Sequence, residues 1–269
     1  MFSIKPAGEW LTRCDLHVHT EFSFDGDKDG LALPDRIADE AIKRKLNTIA
    51  LCDHCDIDDI LDGIYPPYPA DEIYRAVTAV RDKYAGRLEI LYGIELGQPH
   101  ARPEESKRLL EKYSFDFVIG SLHNLKNYPD FCFLRYDVMT YEHIDLLVRR
   151  SIDELCEVAR FSGISTLAHI NYIGRYLKKC GVSFDFMKYE RRWRELFHIV
   201  IEQGIALEVN TSGLTPDGGE TMPNESLLRL YYDCGGRILT LGSDAHRCDR
   251  LANGFDRAAD MLRDIGFIE

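Results

Sequence analysis

The 269-residue chain contains no basic tract longer than a few residues and carries a net charge of −12. Non-specific attachment to nucleic acid or to a membrane surface needs a cationic face, so neither partner is expected. No apolar segment near residue 1 resembles a secretory signal. The eight cysteines are scattered rather than spaced as a disulfide framework, which points to the reducing cytoplasm. Cys52-Asp-His-Cys55 has C-x-x-C spacing, but the second pair that a zinc ribbon requires is missing. A redox pair would more often open a helix than flank a histidine at a strand end. Cys52 is therefore expected as core filler and Cys55 as a loop thiol. Internal repeats, low-complexity tracts and an interdomain linker are also missing. At 45% hydrophobic content the whole chain, 1–269, reads as one domain. No pattern sets an oligomeric state.

What the chain does have is histidine in particular places. Asp15-Leu-His17-Val-His19 ends one apolar run and Gly242-Ser-Asp244-Ala-His246 follows another. On strands, a spacing of two puts His17 with His19, and Asp244 with His246, on one face. Six of the nine histidines follow short apolar runs: His17, His19, His54, His123, His169 and His246. A further run, Leu88 to Ile94, ends at Glu95 instead. His100, in a Pro-flanked loop, and His143 and His198, within helical patterns, read as surface or packing residues. Any one strand-end histidine is ordinarily a buried imidazole bonded to a carbonyl. Six together point to convergence, because all strand ends of a parallel barrel share one face. Imidazole and carboxylate suit zinc, manganese or iron, and a carboxylate such as Glu95 can bridge two ions.

Apolar runs alternate with helical periodicity throughout, as in α/β folds with parallel strands. Seven strands are predicted near 14–18, 47–52, 88–94, 116–120, 164–168, 205–209 and 237–241. Helices are predicted near 35–45, 70–84, 104–113, 140–161, 188–203, 224–234 and 255–265. Pro34, Pro69, Pro103 and Pro223 stand near helix starts, and Gly163, Gly204 and Gly235 follow helices as caps do. Seven units fall one short of the common eight, so the expected barrel is distorted or imperfectly closed. The loops at 55–69, 96–103, 124–139 and 211–223 are expected over the strand ends, with Tyr65-Pro-Pro-Tyr68-Pro as a possible rim.

These segments together resemble the PHP superfamily, named for its polymerase and histidinol phosphatase members, and within it the histidinol-phosphatase branch. The resemblance rests on Asp15-Leu-His17-Val-His19-Thr-Glu-Phe-Ser23-Phe-Asp25-Gly, Cys52-Asp53-His54, Gly93-Ile-Glu95, Gly120-Ser-Leu-His123, Ala168-His169, Glu208-Val-Asn210-Thr and Gly242-Ser-Asp244-Ala-His246. It spans nearly the whole chain and implies a distorted seven-stranded, TIM-like (β/α)7 barrel holding three divalent ions. It assigns His17, His19, Glu95 and Asp244 to one ion, Glu95, His123 and His169 to a second, and Asp25, His54 and His246 to a third. Asp25 lies in an Asp-Gly loop that reads equally well as a simple turn. Asp15 and Asp53 are expected to orient imidazoles rather than ligate.

The resemblance implies hydrolysis of a small phosphate monoester, with L-histidinol phosphate of histidine biosynthesis as the leading substrate and a bridging hydroxide as nucleophile. Glu95, Asp244 and His246 would belong to the catalytic centre. Arg175, in the loop expected to leave the strand end at His169, is the first candidate for phosphate contact, ahead of Arg135 and Arg247. Asn210, ending the sixth strand, is a second polar candidate. The 125–138 stretch departs from the usual loop of that branch. A phosphodiesterase or exonuclease of the same superfamily and a non-catalytic metal-binding module are the alternatives. Amidohydrolases share the barrel and metal logic, but no strand-end lysine suited to carboxylation stands out.

Overall fold

Cys14–Val18 (β1) is buried at all five positions, because a parallel strand between a barrel interior and a helical layer has no solvent face. Thr48–Leu51 (β2), His54–Asp56 (β3), Glu89–Gly97 (β4), Phe117–Ser121 (β5), Thr166–Leu167 (β6), Ala206–Asn210 (β7) and Leu239–Gly242 (β8) complete the sheet. Every pairing is parallel, in the order β1-β2-β4-β5-β6-β7-β8, with β3 on β4. Leu51 opposes Tyr92 and His54 opposes Glu95, so β3 resumes β2 in the same register after a break at Cys52-Asp53. The result is a nearly closed barrel of seven parallel strands. This is a computed structural model, and it describes residues 2–214 and 219–269.

Closure comes from the segment just past β8. Ala245 bridges to Val18, the N–H of Asp244 donates to the carbonyl of His17 at 2.8 Å, and that of His19 donates to the carbonyl of Ala245 at 2.9 Å. Inside, Cys14, Leu16, Ala50, Cys52, Leu91, Phe117, Ile119 and Ala168 form one apolar cluster, against which Phe2, Ile4 and Trp10 pack.

The helices are Pro34–Lys43 (α1), Ile57–Leu61 (α2), Ala70–Tyr84 (α3), Pro103–Lys112 (α4), Tyr141–Arg160 (α5), Ile173–Lys179 (α6), Glu190–Gln203 (α7), Glu225–Asp233 (α8) and Phe255–Ile265 (α9). Pro34 and Pro103 open α1 and α4, where a missing N–H does no harm, and Gly204 ends α7 in the left-handed conformation. In α9 the buried positions Phe255, Ala258, Ala259, Leu262 and Ile265 form the stripe that packs inward. Among the described residues no helix is long and apolar enough to cross a membrane.

Five local expectations are corrected. β4 runs on to Gly97, so Glu95 sits inside a strand rather than after its end, held by ladders to both β3 and β5. The stretch at 55–69 contains β3 and α2, and Arg175 lies on α6 rather than in a loop. Asp244 and His246 lie beyond β8, which stops at Gly242, and Asp244 has φ of 54°. Cys55 is not a loop thiol: it is buried in β3 within the outer apolar layer, while Cys52 belongs to the interior cluster. The two sulfurs of the C-x-x-C thus face different layers, and burial pushes both thiols up. Of the expected 211–223 loop, residues 215–218 lie outside the described residues.

Candidate metal centre

Glu95 is fully buried at the centre of the strand ends, and its two oxygens face different imidazoles. Oε2 is 3.3 Å from His17 Nε2 and 3.5 Å from His19 Nε2. Oε1 is 3.0 Å from His123 Nε2 and 2.9 Å from His169 Nε2. Asp244 Oδ1 joins the first group at 3.2 Å from His19 Nε2 and 3.8 Å from His17 Nε2. On the outer side Asp25 Oδ2 is 3.1 Å from His246 Nε2 and 3.7 Å from His54 Nε2. His54 also links inward, its Nδ1 lying 2.7 Å from Glu95 Oε2. Donor atoms of His17, His19 and Glu95, of Glu95, His123 and His169, and of His19, His54 and His246 each cluster within 4.8 Å. The nine residues predicted as ligands therefore occupy one continuous site.

The imidazoles are fixed from behind. His17 Nδ1 donates to Glu208 Oε1 at 2.6 Å and His123 Nδ1 to Asp56 Oδ1 at 2.6 Å. His246 Nδ1 donates to the carbonyl of Asp244 at 3.0 Å. His19 Nδ1 meets Ser23 Oγ at 3.1 Å, and the Ser23 hydroxyl donates to Asp53 Oδ1 at 2.9 Å. Because the serine proton is used on Asp53, the proton of His19 must sit on Nδ1. In all four residues Nε2 is left to face the cluster, the tautomer that ligation requires.

Glu208 and Asp56 were not assigned this role from the sequence. The available signal was a carboxylate inside an apolar strand, since a buried charge needs a partner. Asp53 acts on His19 only through Ser23. Asp15 does not orient an imidazole at all: its carboxylate accepts from Ser243 N and Oγ and from Ala252 N, fixing the chain past β8.

The electrostatics suit a cation. Burial opposes ionisation of Glu95, but the imidazoles of His54, His17 and His123 overcome it and hold the carboxyl well below the usual range. Asp244 is likewise held low by His17, His19 and His246 despite its burial. Burial, with the neighbouring His246 and His54, pushes His19 down to about 3, so it is neutral and available as a ligand. Among the described residues, half of the twelve buried polar side-chain atoms without a hydrogen-bond partner lie on His17, His19, His54, Glu95, His169 and His246. Such a concentration of unsatisfied donor atoms is costly in a folded protein and fits a site built for metal.

Around the cluster, Tyr65 stacks on Phe24 (4.0 Å between centroids) and Phe24 on His54 (5.0 Å), so the Pro-rich stretch does border the site. Arg175 Nη2 donates to the carbonyl of Ser212 at 3.3 Å, and Ser212 Oγ lies 3.1 Å from Asp244 Oδ2. Arg135 and Arg247 are instead paired with Asp137 and with Asp27 and Asp249. Asn210 is fully buried, with its amide nitrogen near Glu208 and Asp244 and its oxygen accepting from Ser212. It braces the site and has no free edge for substrate. His100 bonds Glu154 at 3.2 Å, while His143 and His198 are exposed, all three apart from the cluster.

The chain is 24% identical over 268 residues to the histidinol-phosphatase of Lactococcus lactis, covering 96% of this chain and 93% of that one. It is 25% identical over 248 residues to the "Probable histidinol-phosphatase" of Clostridium acetobutylicum, covering 92% and 91%. A crystal structure of the Lactococcus histidinol phosphate phosphatase, complexed with zinc, L-histidinol and phosphate, superposes with a TM-score of 0.77 at 22% identity, over 96% of this chain and 95% of that one. Residues 15–212 match the PHP domain, a span from β1 to just past β7 that takes in seven of the nine clustered residues, and the chain belongs to the PHP domain family.

Proposed function

We propose that this chain is a metal-dependent phosphomonoesterase that hydrolyses L-histidinol phosphate to L-histidinol and phosphate. The observation that carries the reading is Glu95, one buried carboxylate whose two oxygens serve two separate groups of imidazoles. The names of the Lactococcus and Clostridium relatives supply the substrate. In this reading the protein acts as one domain over 1–269, and its eight unpaired thiols fit a cytoplasmic site of action.

His17, His19, Glu95 and Asp244 would hold one ion, Glu95, His123 and His169 a second, and Asp25, His54 and His246 a third. Zinc, manganese or iron all suit these donors. Bound there, such ions supply Lewis acidity toward phosphoryl oxygens and a lowered pKa for water. The protein's own part is orientation. Glu208, Asp56 and the Ser23–Asp53 pair fix the rings, as the distances above require. Arg175 has no carboxylate partner among the described residues and is one residue removed from Asp244, so its fork is placed to take phosphoryl oxygens. The Tyr172 ring, 5.3 Å from that of His123 and 5.0 Å from that of His169, shields this side from water.

The test is phosphate release from L-histidinol phosphate beside a panel of small phosphate esters, with enzyme loaded separately with manganese, zinc and iron. Preference for histidinol phosphate is expected. Equal turnover across the panel would overturn the substrate while keeping the phosphatase. Hydrolysis of bis-p-nitrophenyl phosphate in place of monoesters would favour a phosphodiesterase.

A further inference from the structure

The loop after β5 folds back over the site: the N–H of Phe131 donates to the carbonyl of His123 at 2.9 Å. This places Asp130 beside the His123 half of the cluster. Asp130 is only 8% exposed; its Oδ1 accepts from Cys132 N at 2.6 Å, and the Cys132 thiol is a further hydrogen-bond partner of the carboxylate. Next to it Asp56, at 2% exposure, has an Oδ2 without a hydrogen-bond partner. Asp58 and Asp59 are buried close by. None of these four carboxylates pairs with a lysine or arginine among the described residues, although burial and mutual repulsion make such a group costly. Repulsion is felt: Asp58, Asp56 and Asp130 help burial push Asp59 up to about 7.

Aromatic faces adjoin these acids. Tyr172 covers His123 and His169, and the Tyr65–Phe24–His54 stack forms another wall. Burial raises the phenols of both Tyr65 and Tyr172, and in both the largest further contribution is the charge of Asp130. Buried carboxylates that no lysine or arginine neutralises, set among aromatic rings, are the chemistry that receives an ammonium or imidazolium group.

We infer that Asp130, together with Tyr65 and Tyr172, receives a positively charged group on the alcohol portion of the substrate and so sets the preference among phosphate esters. The assignment rests on the phosphatase reading. It divides recognition between Arg175 for the phosphate and Asp130 for the cationic alcohol.

Asp130→Asn keeps the oxygen that accepts from Cys132 and removes the charge. With enzyme carrying the same metal, kcat/KM for L-histidinol phosphate is expected to fall by about 10- to 100-fold, mainly through KM. Turnover of p-nitrophenyl phosphate, which has no cation, is expected to stay within about threefold of wild type, which also reports correct folding. Parallel loss on both esters, or loss on neither, would overturn the assignment. Calorimetry with L-histidinol alone reads the same pocket without turnover. Binding at least about tenfold weaker to D130N supports the assignment, and equal binding, or none to wild type, overturns it. Wild type that binds L-histidinol through Asp130 yet releases phosphate from no ester would overturn the phosphatase reading instead.

Discussion

Glu208 accepts a hydrogen bond from His17 Nδ1 at 2.6 Å through one oxygen, while its other oxygen accepts from the backbone N–H of His169 at 3.0 Å. One carboxylate on β7 thereby sets a ring on β1 and the chain just past β6. Glu208→Gln keeps the size but offers an amide in place of one oxygen, so one of these acceptors is lost. Metal affinity, measured by competition with a chromophoric chelator, is expected to drop about 10- to 100-fold with the fold intact. Unchanged affinity would mean that the His17 ring needs no support.

Glu95 joins the two inner groups, so its loss is expected to affect more than one ion. Glu95→Ala should lower metal content by elemental analysis and reduce phosphate release by at least about 10²- to 10³-fold. Full metal content together with full activity would sink the catalytic reading.

Gly242 ends β8 against the site, and a β carbon there would overlap both Glu208 Oε1 and His17 Cβ. Gly242→Ala is expected to cost about 1–3 kcal/mol, as overpacking does, and to weaken metal uptake along with it. Thermal unfolding and elemental analysis of one preparation check both. A loss of stability without loss of metal would place the strain elsewhere.

Asp59 titrates far from its ordinary value of 3.8, pushed up to about 7 by burial and by Asp58, Asp56 and Asp130. The folded protein holds this proton more tightly than the unfolded chain, so the associated stability is present below about pH 4 and is lost as pH rises through about 7. Asp59→Asn removes that dependence. Its melting temperature should exceed that of wild type at pH 8 by more than at pH 5, with metal at the same saturating level. A constant difference between the two pH values would rule out Asp59 as the titrating group.

Strand positions were readable because parallel strands buried on both faces appear as short apolar runs, and β1 and β7 fall within a residue of the expected bounds. The clustering of His17, His19, His54, His123, His169 and His246 followed from the same geometry. Less readable were residues whose role depends on register between distant strands. Glu208 becomes a partner of His17 only through the β7–β8 ladder and the closure of β8 on β1. Asp56 reaches His123 because β3 resumes β2 beside β4. Asp15 was misread because its partner, Ser243, lies at the other end of the chain. Helix α6 escaped notice because seven residues without a side-chain cap leave little periodic signal.

The hydrogen bonds that shut the barrel are made by residues 17, 19, 244 and 245, adjacent to or among those that gather around Glu95. A growing chain therefore presents only part of the inner donor set until its last strand has docked on its first. Metal capture at that position waits on the closure of β8 against β1. Once made, the bound ion would act as a clasp on the seam between β1 and the segment past β8.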